Sequence, residues 1–191
     1  MAAGQARTLI LLRHAKSAWP DVPDHDRPLA SRGRRDAPTA GRWLRSAAAV
    51  PDLVLCSSAL RARQTWQLAE AALEQRQPVV FEDGIYGASA AELLDIVRHA
   101  PSAGRTIVVV GHNPGIQELA VALAGAAAEA GRSGSSLPPS ALDRMTAKFP
   151  TAAIAVLEFS GPWSRLHPGQ ARLASFVTPR ELASQDPHAD T

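Results

Sequence analysis

The chain has 191 residues and a formal net charge of +2, with 46% hydrophobic and 20% charged residues. That length suits one domain with a sizeable core, spanning 1–191, and the composition excludes a disordered chain. No unbroken apolar stretch approaches the roughly 18 residues that a bilayer span needs, so no transmembrane helix and no membrane partner is expected. Residues 1–7 lack the apolar segment of a secretory signal, which predicts a cytoplasmic protein. Cys56 is the single cysteine, so neither a disulfide framework nor a four-cysteine zinc site is expected. Lys16 and Lys148 are the only lysines among the 20 basic residues; the arginines are scattered, with no dense basic run, and nucleic acid is not an expected partner.

Thr8 to Leu12 is a short apolar run without helical period, followed by polar residues, and it reads as a buried parallel strand. Asp52 to Leu55, Val79 to Phe81 and Thr106 to Gly111 repeat that signature. Amphipathic stretches lie between and beside them, from Ser31 to Ala49, Ala59 to Gln75 and Ala90 to Ala100. Pro38 costs the first of these a backbone hydrogen bond, which predicts a kink or a later start. His112-Asn113-Pro114-Gly115 reads as a turn opening a helix over Ile116 to Ala124. Gly125 to Ser140, rich in Ala, Gly, Ser and Pro, reads as a mobile insertion. Ala152 to Phe159 and Ala171 to Phe176 read as strands extending the same sheet, and the polar tail from Pro179 to Thr191 is expected to fray. Strands alternating with helices predict a three-layer α/β/α sandwich around a mostly parallel sheet, with right-handed crossovers and a core of about residues 8–180.

Ligands of open α/β sheets bind beyond the carboxyl ends of the strands. The polar residues expected there are few: Arg13 and His14 after the first strand, Cys56, Ser57, Ser58 and then Arg61 after the second, and His112 after the fourth. Two arginines and two histidines converging from three strand ends make a site for a dianionic phosphoryl group, because guanidinium forks match its oxygens. A neutral imidazole there can attack phosphorus.

Leu11-Leu12-Arg13-His14-Ala15, then Ser57-Ser58-Ala59-Leu60-Arg61-Ala62-Arg63-Gln64-Thr65, then Gly111-His112-Asn113-Pro114-Gly115 together resemble the histidine phosphatase superfamily. Lys16-Ser17, Asp26-Arg27-Pro28-Leu29 to Gly33, and Ile85-Tyr86 to Ala88 are similar to its SixA-type phosphohistidine phosphatase branch. The resemblance implies a phosphoglycerate mutase-like fold and a phosphoenzyme intermediate on His14. Arg13, Arg61 and His112 would hold the phosphoryl oxygens. It implies a phosphorylated protein as substrate, with small phosphate esters as the alternative substrates of a phosphatase or mutase. A non-catalytic module binding phosphorylated partners is the alternative from another class, and the intact set of four residues argues against it.

Ser17, Arg27 and Asn113 are further candidate substrate-binding residues, Asn113 through its side chain or through a backbone N–H at a helix N-terminus. Many superfamily members use a carboxylic acid to protonate the leaving oxygen, and Glu82 and Asp83 are the two candidates, with neither preferred. A phosphohistidine leaves as imidazole and needs such an acid less. Cys56 to Arg61 resembles a cysteine-loop-arginine phosphatase signature but has four intervening residues where that loop needs five, and no glycine; Cys56 is expected to be buried and inert. His25 among Asp21, Asp24 and Asp26 is expected to mark a turn, not a metal site. Trp19, Trp43, Trp66 and Trp163 are expected to be packing residues. No metal and no organic cofactor are implied.

Overall fold

Six strands form one sheet in the computed structural model, which describes residues 5–47, 49–73, 75–101, 104–128 and 140–184. They are β1 (Ala6–Arg13), β2 (Leu53–Ser57), β3 (Val79–Glu82), β4 (Thr106–Gly111), β5 (Ile154–Ser160) and β6 (Arg172–Val177), in the spatial order β3-β2-β4-β1-β5-β6. The first four are parallel. β5 runs antiparallel to β1, and β6 antiparallel to β5. The helices are α1 (Ser31–Ser46), α2 (Leu60–Glu70), α3 (Ala90–Arg98), α4 (Gly115–Ala128), α5 (Ala141–Ala147) and α6 (Pro179–Ser184).

Alternation along the central strands decides which helices cover which face. Leu9, Leu11, Leu53, Leu55, Ile107 and Val109 point to a core closed by α3, α4 and α5, with Leu93, Ile116, Leu123 and Met145 packed on it. Ile10, Leu12, Val54, Cys56, Val108 and Val110 point the other way, against Leu44 of α1, Trp66 of α2 and Leu182 of α6. The result is the expected α/β/α sandwich, with a mixed sheet.

Several elements differ from expectation. β3 is the parallel edge, not a buried strand: Phe81 is 55% exposed and Val80 43%, because among the described residues no strand pairs beyond it. α1 starts at Ser31 and runs through Pro38, so the proline does not delay the start; burial of Ala37, Ala40 and Leu44 on the core outweighs one missing hydrogen bond. α4 runs on to Ala128, so the first four residues of the expected insertion are helical, and Ser140 closes a capping box with Asp143 at the start of α5. Residues 129–139 lie outside the described residues. The tail is not frayed at its beginning: α6 buries Leu182, and Glu181 accepts from the Thr178 backbone N–H and hydroxyl at 2.8 Å each and pairs with Arg144. Residues 185–191 also lie outside the described residues.

Strand order positions the site. β2, β4 and β1 are consecutive neighbours, so the residues leaving their carboxyl ends emerge side by side.

Candidate active site

His14 follows the last residue of β1, and its backbone N–H donates to the carbonyl of Gly111 at the end of β4, at 3.0 Å. Two more hydrogen bonds fix the turn after it. The Ala15 N–H donates to Thr65 Oγ1 at 2.9 Å, and the Thr65 hydroxyl donates to the Arg61 carbonyl at 2.6 Å, which ties β1 to the first turns of α2. His14 is 8% exposed, and its Nδ1 lies 2.8 Å from the Ala15 carbonyl. A carbonyl only accepts, so Nδ1 carries the proton and Nε2 keeps its lone pair.

The His112 ring lies 5.0 Å from that of His14, centroid to centroid. Its Nε2 is 2.8 Å from Ser57 Oγ, an oxygen that already accepts from the Ala59 N–H. That oxygen keeps a second lone pair, so it can donate to Nε2 or accept from it, and Nδ1 is buried with no hydrogen-bond partner among the described residues. Burial, first of all, lowers the pKa of His14 to about 3 and that of His112 to about 4; Arg13 and Arg61 add to both shifts. Both rings are neutral at neutral pH.

Arg13 is half-buried; its NH1 donates to the Phe149 carbonyl at 2.7 Å and its Nε is buried without a partner among the described residues. Asn113 donates to the same carbonyl at 3.3 Å and to Gln117 Oε1 at 2.9 Å, so its side chain orients the neighbouring loop. Buried Arg61 donates from NH1 to the Asp24 carbonyl at 2.6 Å and from NH2 to Asp24 Oδ2 at 3.0 Å. Arg27, also buried, donates to Ala18 O, Asp24 Oδ1 and Ser17 Oγ at 2.7–2.9 Å. Thus Arg13, His14, Arg61 and His112 come together as the strand-end argument requires, and Ser17, Arg27 and Asn113 are held beside them.

The two candidate acids lie at the end of β3 and just beyond it. Glu82 Oε1 accepts from the Gly84 N–H at 3.1 Å and caps the short 3-10 turn Asp83–Ile85, while Asp83 is exposed at the start of that turn. Among the described residues, neither makes a hydrogen bond or ion pair with the four. Cys56 is fully buried on the α1/α2 face, its thiol pushed up to about 12 by burial; it is inert, as expected. His25 does lie on a turn, the 3-10 turn Asp24–Asp26. Trp66 and Trp163 are buried, but Trp19 is 78% exposed and is not a packing residue. It instead stacks on the Arg27 guanidinium, 3.2 Å from the ring centroid.

Sequence reasoning missed Asp24, Tyr86 and Phe149. Tyr86 donates to Asp24 Oδ2 at 2.7 Å and lies edge-on to His112 at 5.5 Å. Asp24 stands three residues before Arg27, a spacing that hints at their ion pair. Its partnership with Arg61 spans 37 residues and leaves no local trace.

A cationic clamp around a neutral imidazole at the carboxyl ends of parallel strands is the arrangement of a phosphatase site. The family described as histidine phosphatase superfamily (branch 1) matches residues 9–93. An uncharacterized protein of Mycobacterium tuberculosis strain H37Rv is 42% identical over 170 residues, covering 88% of this chain and all of that one. Among solved structures, a candidate phosphohistidine phosphatase SixA from Nakamurella multipartitia is 34% identical with a TM-score of 0.79, covering 93% of this chain and 98% of that one. A second candidate SixA, from Agrobacterium tumefaciens, is 30% identical with a TM-score of 0.72, covering 91% and 98%. The chain belongs to the histidine phosphatase superfamily.

Proposed function

We propose that this phosphatase removes the phosphoryl group from a phosphorylated histidine of a protein. The observation that carries the reading is the pairing of a neutral His14, its Nδ1 proton committed to the Ala15 carbonyl, with four residues that, among the described residues, neither Glu82 nor Asp83 bonds to. The likeness to the two SixA structures supports it. Its one cysteine is a buried thiol, which suits the reducing cytoplasm.

In this reading His14 Nε2 attacks phosphorus in line. Arg13, Arg61 and His112 hold the equatorial oxygens, with Arg27 and Ser17 at the side of the clamp. The substrate ring enters protonated on the nitrogen remote from phosphorus, so when the P–N bond breaks its electron pair leaves a neutral imidazole. Water then attacks the phosphoryl group on His14, the bond from phosphorus to Nε2 breaks, both water protons leave with the phosphate, and the ring returns as the neutral Nδ1–H tautomer. A leaving imidazole needs little help from an acid, whereas an alkoxide must be protonated.

One turnover panel tests the substrate: a phosphohistidine protein, phosphoglycerate, a sugar phosphate and an aryl phosphate. The highest kcat/KM is expected on the phosphohistidine protein, and acid-quenched enzyme should carry label on His14. His14→Ala should lose roughly 10³-fold or more in kcat. Faster turnover of phosphoglycerate or the sugar phosphate would move the assignment to small esters, and label on another residue would overturn the nucleophile.

A further inference from the structure

Asp24 plays no part in that scheme, yet more of the clamp meets there than at any catalytic group. Its Oδ1 accepts from Arg27, its Oδ2 accepts from both Arg61 and Tyr86, and its carbonyl accepts again from Arg61. The Tyr86 ring that reaches it lies edge-on to His112 on one side and, at 5.0 Å, to His25 on the other. The carboxylate is half-exposed and bonded to two phosphate-seeking guanidinium groups, with the Tyr86 ring linking it to His112.

An anion in that place works against a second anion. It spends donors of Arg61 and Arg27 and repels a dianionic phosphate ester. A structure evolved only to grip phosphate would leave those donors free. The conflict disappears if the substrate brings a positive charge with its phosphoryl group, as a phosphohistidine protonated on its second ring nitrogen does.

We propose that Asp24 is a specificity-determining residue whose carboxylate accepts the ring N–H of the substrate's phosphoimidazolium and so selects N-phosphoryl over O-phosphoryl groups. This rests on the phosphohistidine reading above. The proton balance is complete without an acid: the substrate ring enters with a proton on the nitrogen remote from phosphorus, the P–N electron pair returns to the other nitrogen, and neutral imidazole departs with its N–H still on Asp24. Asp24 is suited to accept and not to donate. The hydrogen bond from Tyr86 foremost, and then that from Arg27, hold its carboxyl well below the usual carboxylate range. A proton-donating acid at this site would serve an alkoxide; an ionised one serves an imidazolium.

The test is Asp24→Asn, assayed for kcat/KM on a phosphohistidine peptide and on p-nitrophenyl phosphate, whose leaving group carries no N–H. Loss of the ionic hydrogen bond should lower the phosphohistidine rate roughly 10- to 100-fold more than the aryl phosphate rate. The aryl phosphate rate also reports that the variant is folded and its clamp in place. Parallel losses on both substrates would overturn the proposal and make Asp24 a tie for Arg61 and Arg27; Tyr86→Phe, which removes one tie and keeps the charge, should in the proposed case shift the substrate ratio far less than Asp24→Asn. Wild-type enzyme that hydrolyses the aryl phosphate but not the peptide would overturn the phosphohistidine reading itself, an outcome visible before any variant is made.

Discussion

Arg13 is held by the Phe149 carbonyl, and Arg61 by the carbonyl and the carboxylate of Asp24. The guanidinium N–H groups left over are what a phosphoryl group would meet. A lysine keeps the charge but offers a single ammonium in place of a planar pair of donors, and it cannot hold the carbonyl and the substrate in the same geometry. Arg61→Lys and Arg13→Lys are therefore each expected to lose about 10²-fold or more in kcat/KM. Arg63 and Arg172 are exposed, and their lysine variants serve as controls that should stay close to wild type. Near-wild-type rates in both clamp variants would remove these arginines from the phosphate site.

At the scale of elements, α1 and α2 pack so closely that a Cβ built on Gly41 would stand 2.0 Å from the Ala69 carbonyl oxygen. The atom met is backbone, which cannot swing aside as a side chain can. Gly41→Ala must push α1 away from α2, and overpacking of this kind costs about 1–3 kcal/mol. Urea denaturation of the variant should show that loss as a lower midpoint at an unchanged slope; an unaltered midpoint would mean that the two helices can separate freely. The same helix pair bears on function. α2 carries Arg61 and, through Gln64 Oε1, holds the Leu29 N–H at 2.8 Å, so the loop bearing Arg27 is pinned to the helix bearing Arg61.

For the whole molecule, the two site histidines make stability depend on pH. Their folded pKa values, about 3 for His14 and about 4 for His112, lie below the 6.5 of an unperturbed histidine. Below pH 6.5 the unfolded chain therefore binds protons that the folded one refuses. Stability is full above pH 6.5, and falls as pH drops from there toward 4, by up to about 1.4 kcal/mol per pH unit for each histidine. Denaturation midpoints measured from pH 7.5 to 4.5 should decline in wild type and decline less steeply in the His14→Gln, His112→Gln double variant. Parallel profiles would show that the rings are charged in the folded state.

The chain by itself determined the α/β/α layering and the four residues Arg13, His14, Arg61 and His112. Both rest on signals local in sequence: apolar runs such as Leu9–Leu12 and Thr106–Gly111 mark strands, and polar residues placed just past them must emerge at one sheet edge. The tertiary structure decided the rest. Only the strand order made β3 an exposed edge, since Val79 to Phe81 is as apolar as a buried strand. Only packing turned the polar tail into α6, through one buried leucine and the Arg144–Glu181 pair. Asp24, Tyr86 and Phe149 reach the site through contacts spanning 37, 62 and 136 residues, and a pairing that distant has no periodicity and no neighbouring residue to record it. For the same reason the sequence offered Glu82 and Asp83 as acids, and only the folded chain turned Glu82 back to cap its own turn.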